Sequence, residues 1–200
     1  MQTLGLSSES KRSDGPLKSI FWPTVDNAWD VDYLGRQGLT ICAIVALMEL
    51  VPALFTRNPV YLAAGLVASL VFLVGGLGVR EGSWPAAAMV STLYFVGLLN
   101  TLATGRIPGV LSVIAAGVLL SNLRAAFLAS EWKPAGPEED KPMRFNEGLI
   151  DFLTDQLPAK AWPALQIAFF AVSSAFLALT LVGLGFILWH RFGGLARMHP

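Results

Sequence analysis

The chain has 200 residues, of which 54% are hydrophobic and 14% are charged, and its mean hydropathy is +0.58. A soluble domain carries about 25% charged residues, so a soluble fold with 14% would need an unusually large core and an unusually small charged surface. The 14 basic residues equal the 14 acidic ones, which argues against nucleic acid as a partner. The single cysteine excludes a disulfide framework and a cysteine metal cluster within the chain.

The charges are clustered, and they leave long uncharged tracts between them. A membrane-spanning helix needs about 20 mostly apolar residues, and five tracts meet that requirement. The sequence therefore predicts an all-α, multi-pass bundle of five transmembrane helices, with the lipid bilayer as its surroundings and other membrane proteins as candidate partners. The predicted spans are Gly38–Phe55, Pro59–Val79, Trp84–Leu102, Ile107–Phe127 and Trp162–Trp189.

The remaining segments are polar and divide the chain into four parts. Residues 1–20 are too polar to bury a core and predict a disordered tail. Residues 21–129 hold an interfacial lead-in, with a helix starting near Ala28, and the first four spans. Residues 130–160 form a loop in which Asn146 begins a short amphipathic helix that ends near Leu157. Residues 161–200 contain the fifth span and a short tail.

Glu49 is the most costly residue of the predicted spans, because an acid inside a membrane helix is expensive and marks a functional candidate by default. It lies in span one, three residues before Pro52. One alternative is that span one ends early, so that Glu49 lies near the outer interface. If Glu49 functions within the bilayer, Asn100, Arg106 and Arg57 match it in depth better than Arg124 does.

Span four ends in a polar group that contains Asn122 and Arg124. Arg124 is too far along its span to reach Glu49, and we expect its side chain to extend to the cytoplasmic headgroups. Asn122 and Asn100 can form hydrogen bonds between helices, and we interpret them as packing contacts before ligand contacts. No catalytic, phosphate-binding or dinucleotide motif is present, so we expect no cofactor and no metal.

Several short motifs resemble those of a group of small multi-pass bacterial membrane proteins, a region that is also similar to one preceding some signal-peptidase-type proteins. The motifs are Phe21-Trp22-Pro23, Ser121-Asn122-Leu123-Arg124, Arg144-Phe145-Asn146, Asp155-Gln156-Leu157-Pro158 and Trp162-Pro163. The Ser-Met-x-Pro nucleophile segment of signal peptidases is missing, and no catalytic Ser/Lys pair can be transferred. The resemblance implies a bacterial inner-membrane protein without peptidase activity.

Three functions remain after these exclusions. We favour a non-enzymatic scaffold or accessory subunit that contacts partners in the bilayer, because the spans carry little polarity and the sequence shows neither a catalytic motif nor a sizeable soluble domain. The first alternative is a small transporter or channel that uses Glu49, Asn100 and Arg106. The second is an intramembrane enzyme, which would need convergent polar side chains in one cavity.

Charge also predicts the orientation. Five spans place the termini on opposite sides, and of the 14 Lys and Arg residues all but Arg57, Arg106, Arg191 and Arg197 fall on the side of the N-terminus. Basic residues are enriched on the cytoplasmic side, so we predict a cytoplasmic N-terminus and an external C-terminus. If span one only dips into the bilayer, the N-terminus changes side while the 130–160 loop stays cytoplasmic.

Reporter fusions test this orientation directly. We expect a fusion at Gly136 to report the cytoplasm, and fusions at Asn58 and after Pro200 to report the periplasm, because the basic residues hold the loop inside. Paired alkaline phosphatase and fluorescent-protein fusions measure the two outcomes. A periplasmic signal at Gly136 would refute the prediction.

Overall fold

The structure is a computed structural model that describes residues 18, 21–25, 28–130 and 161–193. In this part of the chain every regular element is an α-helix. Apart from residue 18, the predicted tail of residues 1–20 lies outside the described residues, and so does the predicted amphipathic helix of residues 146–157. The helices are α1 (Ala28–Phe55), α2 (Pro59–Arg80), α3 (Trp84–Ala103), α4 (Val110–Ser130) and α5 (Ala161–Gly193).

All five helices are long and apolar enough to cross a membrane, which fits a membrane location and confirms the predicted fold class. The helix predicted to start near Ala28 is the beginning of α1, which continues without a break into the first span. α4 begins three residues later than predicted, at Val110. Ile107 precedes Pro108, and a residue before proline is disfavoured in the helical conformation.

Local sequence explains where α2 and α3 begin. The Asn58 side chain accepts a hydrogen bond from the Val60 amide at 2.9 Å, and Ser83 accepts one from the Ala86 amide at 3.4 Å. Each helix has proline in its first turn, where the missing N–H costs nothing. Each helix therefore starts at a side-chain cap that is closely followed by proline.

The first four helices form a closed ring. α1 packs against α2 and α4, and α3 packs against the same two helices. α5 lies outside the ring and packs against α2 and α3. Its most apolar stretch is only 11% buried, against 33% or more in the other four helices. The ring thus forms most of the core, and α5 is its least enclosed neighbour.

Two opposite ends of the bundle are useful landmarks. The near end, where α1 begins, also holds the end of α2, the beginning of α3, the end of α4 and the beginning of α5. Trp84 and Phe127 meet there edge to face, with ring centroids 6.4 Å apart. The far end holds the end of α1 and of α3, and there Arg191 of α5 donates hydrogen bonds to the Leu102 and Ala103 carbonyls. Successive helices therefore alternate in direction.

Glycines on α2 allow its three neighbours to approach closely. A Cβ added at Gly76 would lie 2.8 Å from the Cβ of Cys42 on α1. A Cβ added at Gly78 would lie 2.5 Å from the Trp162 ring of α5 and 2.6 Å from the Cβ of Ala86 on α3. α2 contacts helices on more than one face because these positions carry no side chain.

Two features of the packing do not follow from residue type alone. Asp30 at the start of α1 is only 6% exposed, whereas Asp32, two residues later, is exposed. The small residues of α5, such as Ala171 and Ala175, are exposed, whereas Gly65 and Ser69 of α2 are buried. Spacing of small residues identifies a surface that permits close packing, and only the neighbouring helix decides whether the surface is used.

The Gly78 contact gives a stability prediction. Gly78→Ala should lower the stability of the detergent-solubilised protein by about 1–3 kcal/mol, because the new methyl group overlaps the Trp162 ring. Gly183→Ala is the matched control, since a Cβ there has no atom within 4 Å. Thermal unfolding measures both, and equal melting temperatures for the two variants would contradict the packing described.

Candidate functional site

Glu49 lies well inside α1. The helix passes through Pro52 and ends at Phe55, six residues beyond Glu49, which corresponds to about 9 Å along the axis. The helix itself does not end early, and the depth of Glu49 in the bilayer stays a prediction. Because proline has no N–H, Pro52 leaves the Met48 carbonyl without its usual helical donor, which adds polarity beside the carboxylate.

A cavity of about 280 Å³ borders Glu49 in the far half of the bundle, and all five helices contribute to its wall. We call it the Glu49 cavity. Apart from Glu49, the polar side chains that line it are Tyr94, Thr101, Ser112 and Thr180. The cavity therefore brings together one carboxylate of α1 and four hydroxyl groups from three other helices.

A second cavity, of about 320 Å³, also borders Glu49. It lies between α1, α2 and α5, and its polar wall includes Thr56 and Tyr61. The two cavities share Glu49, Ala68 and Phe176 as lining residues. Glu49 thus stands at the boundary between two adjacent spaces rather than within a packed helix contact.

Three of the hydroxyl groups in the Glu49 cavity have partners for their protons. The Tyr94 hydroxyl donates to the Ser112 carbonyl at 3.1 Å, and the Thr101 and Thr180 hydroxyls donate to carbonyls of their own helices. Among the described residues, Glu49 forms neither an ion pair nor a side-chain hydrogen bond. The carboxylate is therefore the charged group of this cavity, and it lacks a partner within the described chain.

Asn100 and Arg106 do not line this cavity. Arg106 is exposed in the turn between α3 and α4, and Asn100 is half-buried, with no hydrogen-bond partner for its Oδ1 among the described residues. Thr101, next to Asn100, lines the cavity instead. Tyr94 and Thr101 are seven residues apart and share one face of α3, a spacing that could have indicated the site from sequence.

Arg124 lies at the near end of the bundle and is bound by the lead-in segment. Its Nη1 donates to the Pro23 carbonyl at 3.0 Å, and its guanidinium carbon lies 4.8 Å from the centre of the Trp22 ring. The Ser121 hydroxyl donates to the Phe21 carbonyl, and the Phe21 ring packs on Gly117. A stripe of α4 therefore holds residues 21–23 against the bundle.

This arrangement separates Arg124 from Glu49. Ser112, which lines the Glu49 cavity, and Arg124 are twelve residues apart on α4, or about 18 Å along the axis. Arg124 forms no ion pair with any residue that the structure describes. Its contacts are a backbone carbonyl and an aromatic ring, neither of which the sequence pattern indicates.

Asn122 is 2% exposed, but it does not join two helices by a hydrogen bond. Its Nδ2 donates to the Val118 carbonyl of its own helix at 2.8 Å, and its Oδ1 has no partner in the described part of the chain. The side chain packs against Gly38 of α1. Asn122 therefore makes no interhelical hydrogen bond within the described residues, and the Gly38 surface beside it carries no side chain that could donate.

Comparison with protein-family models, curated proteins and solved structures finds no match to this chain. The resemblance to small bacterial membrane proteins therefore stays a prediction. The chemistry of the site follows from its own residues, which are a carboxylate, four hydroxyls and an otherwise apolar wall.

The contact at Arg124 yields a prediction about the lead-in segment. Arg124→Ala should increase the rate of tryptic cleavage after Lys18 by roughly two- to fivefold, because the carbonyl and ring contacts that hold residues 22 and 23 are lost. Mass spectrometry of the fragment beginning at Ser19 measures the rate. Arg106→Ala removes an exposed arginine and should leave it unchanged; equal acceleration in both variants would contradict the assignment.

Proposed function

We propose that the protein is a small membrane carrier or channel that binds a cationic solute at Glu49. The observation that supports the proposal is an unpaired carboxylate that borders a cavity walled by all five helices. Asn100 and Arg106, the other members of the pathway expected from sequence, are not part of this binding site. Thr101 and Tyr94 of α3 take their place.

Electrostatics favours a cation in this cavity. An ionised carboxylate within a membrane span costs several kcal/mol, and a cation held beside it offsets part of that cost. Among the described residues no basic side chain lines the cavity. An anionic solute would meet repulsion from Glu49 without any opposing charge, so the cavity discriminates by sign.

The packing of α5 suggests how a solute could enter. Phe176 and Thr180 of α5 line the Glu49 cavity, yet α5 is the least buried of the five helices. The contacts of its first half, at Trp162 and Phe169, lie in the aromatic core toward the near end. A small displacement of α5 between its attachments at Phe169 and Arg191 would change the cavity wall without unpacking the ring.

The proposed location is the bacterial inner membrane, with the N-terminus in the cytoplasm. It is supported by the distribution of Lys and Arg between the two sides of the five helices. In that orientation the Glu49 cavity lies in the outer half of the bilayer. The solute would then enter from the external side.

An accessory-subunit role is the second candidate. The observation that favours it is the exposed apolar surface of α5, which could contact a partner helix in the bilayer, for example at Ile167, Leu179 and Val182. This role makes no use of the carboxylate. It therefore predicts that replacement of Glu49 leaves function intact, which distinguishes the two candidates.

Carbodiimide labelling tests the proposed site whatever the identity of the solute. Dicyclohexylcarbodiimide modifies carboxyl groups in apolar membrane sites, so we expect it to label Glu49 of the full chain in detergent. Sodium, potassium, methylammonium and phenyltrimethylammonium chlorides are each added as competitors. At least one should slow the labelling, because a bound cation covers the carboxylate.

A transport assay then measures uptake into proteoliposomes of the cation that protects Glu49 from labelling. Glu49→Gln should lower its uptake by roughly tenfold or more, since truncating one partner of a desolvated charge pair typically costs about 2–5 kcal/mol. Glu81→Gln, an exposed acid in the turn between α2 and α3, is the matched control and should transport normally. Absence of protection by every cation, or unchanged uptake by Glu49→Gln, would overturn the proposal.

A further inference from the structure

The wall of the Glu49 cavity is aromatic as well as acidic. Three rings from three helices line it: Phe72 of α2, Tyr94 of α3 and Phe176 of α5. Phe72 and Tyr94 stand edge to face, with ring centroids 6.3 Å apart and an interplanar angle of 86°. The hydrogen bond from the Tyr94 hydroxyl to the Ser112 carbonyl ties this ring to α4. These two rings are therefore held by contacts that do not involve a ligand.

This wall is poorly suited to a bare metal ion. Hard cations bind through several convergent oxygen ligands, with carboxylates prominent among them. In the part of the chain that the structure describes, no group of three or more His, Cys, Asp or Glu side chains converges. The Glu49 cavity supplies one carboxylate, and three of its hydroxyls donate their protons to backbone carbonyls.

The same wall suits an organic cation. Substituted ammonium groups are recognised by aromatic faces that attract the charge through the ring quadrupole and contact the alkyl groups at the same time. A single carboxylate then neutralises the charge. The volume of about 280 Å³ lies just below the usual range for small-molecule sites, about 300–1,000 Å³, so the ligand must be small.

We infer that the ligand of the Glu49 cavity is a small substituted ammonium ion, bound between the Glu49 carboxylate and the rings of Phe72, Tyr94 and Phe176. The inference rests on the proposed function and names the substrate class for that site. The carboxylate selects the positive charge. The rings favour a cation that carries alkyl or aryl substituents over a hydrated inorganic cation.

Phenyltrimethylammonium chloride is the probe, titrated calorimetrically into the full chain in detergent. Its comparator is N,N-dimethylaniline, which keeps the phenyl ring and two of the three N-methyl groups and is uncharged at neutral pH. We expect the ammonium ion to bind the wild-type protein and the aniline to bind weakly or not at all. Glu49→Gln should weaken binding of the ammonium ion by roughly tenfold or more.

Ring variants test the aromatic part of the site. Tyr94→Leu and Phe176→Leu should each weaken binding of phenyltrimethylammonium by roughly three- to tenfold, because each removes one π face from the cation. Tyr94→Phe keeps the ring and should bind nearly as well as the wild type. Phe186→Leu is the matched control on α5, since its exposed ring does not line the cavity, and it should leave affinity unchanged.

The outcomes separate this inference from the proposed function. Protection of Glu49 by sodium or potassium, without binding of phenyltrimethylammonium, would overturn the substrate class and leave the cation site standing. Failure of all cations would overturn both. Equal binding of N,N-dimethylaniline, or ring variants that bind like Phe186→Leu, would also overturn the inferred class.

Discussion

Close contact at the glycines of α2 is the constraint on which the rest of the structure depends. Gly76 admits α1, and Gly78 admits both α3 and α5. In a bilayer, helices associate without a net hydrophobic driving force, because lipid tails are as apolar as leucine. Association then depends on dispersion contacts, which fall off steeply when a gap of even about 0.5–1 Å opens. A helix without side chains at these positions can meet several neighbours at short range.

The two ends of α2 differ in these glycine contacts. The glycine contacts at Gly75, Gly76 and Gly78 draw the helices together at the near end, where the large rings of Trp162 and Phe169 fill the core. Toward the far end α2 retains only Gly65, which faces α1. Gly65 still brings α1 close to α2, but no glycine of α2 admits α3 or α5 there, and both cavities beside Glu49 occur in that half. The glycines that admit three neighbours and the two cavities thus lie at opposite ends of α2.

The sequence predicts where the helices lie along the chain, but it says less about which side of each helix faces the core. Five helices follow from apolar length alone, and the starts of α2 and α3 follow from Asn58, Ser83 and the prolines that follow them. The cost of a charge within a membrane span singles out Glu49 as a residue that needs an explanation. Helices that are apolar nearly all round carry few periodic signals, such as the spacing of Tyr94 and Thr101, so sequence says little about which residues face inward. For that reason the sequence pointed to Asn100, whereas its neighbour Thr101 lines the cavity.

The contacts of Arg124 and Asn122 escape prediction for a related reason. Their partners are backbone atoms, at Pro23 and Val118, and a backbone carbonyl has no signature in the sequence. Charge counting assigns Arg124 to one side of the bundle, but it cannot reveal that Trp22 lies over its guanidinium group. The position of a residue along a span predicts its depth in the membrane, but its contacts with other segments can be read only from the structure.

The two attachments of α5 impose an oblique path on that helix. Trp162 is fixed at Gly78, beside Ala86 at the near end of α3, while Arg191 binds the carbonyl of Ala103 at the other end of α3. About 44 Å of helix separates the two α5 residues, but only about 26 Å of α3 separates Ala86 from Ala103. α5 therefore cannot run both straight and parallel to α3, and it leans or bends along its length. A tilted helix that is longer than the bilayer core responds to hydrophobic thickness, so a thinner bilayer would tilt α5 further and a thicker one would straighten it. Because Phe176 and Thr180 line the Glu49 cavity, such a change in tilt would move the α5 wall of that cavity.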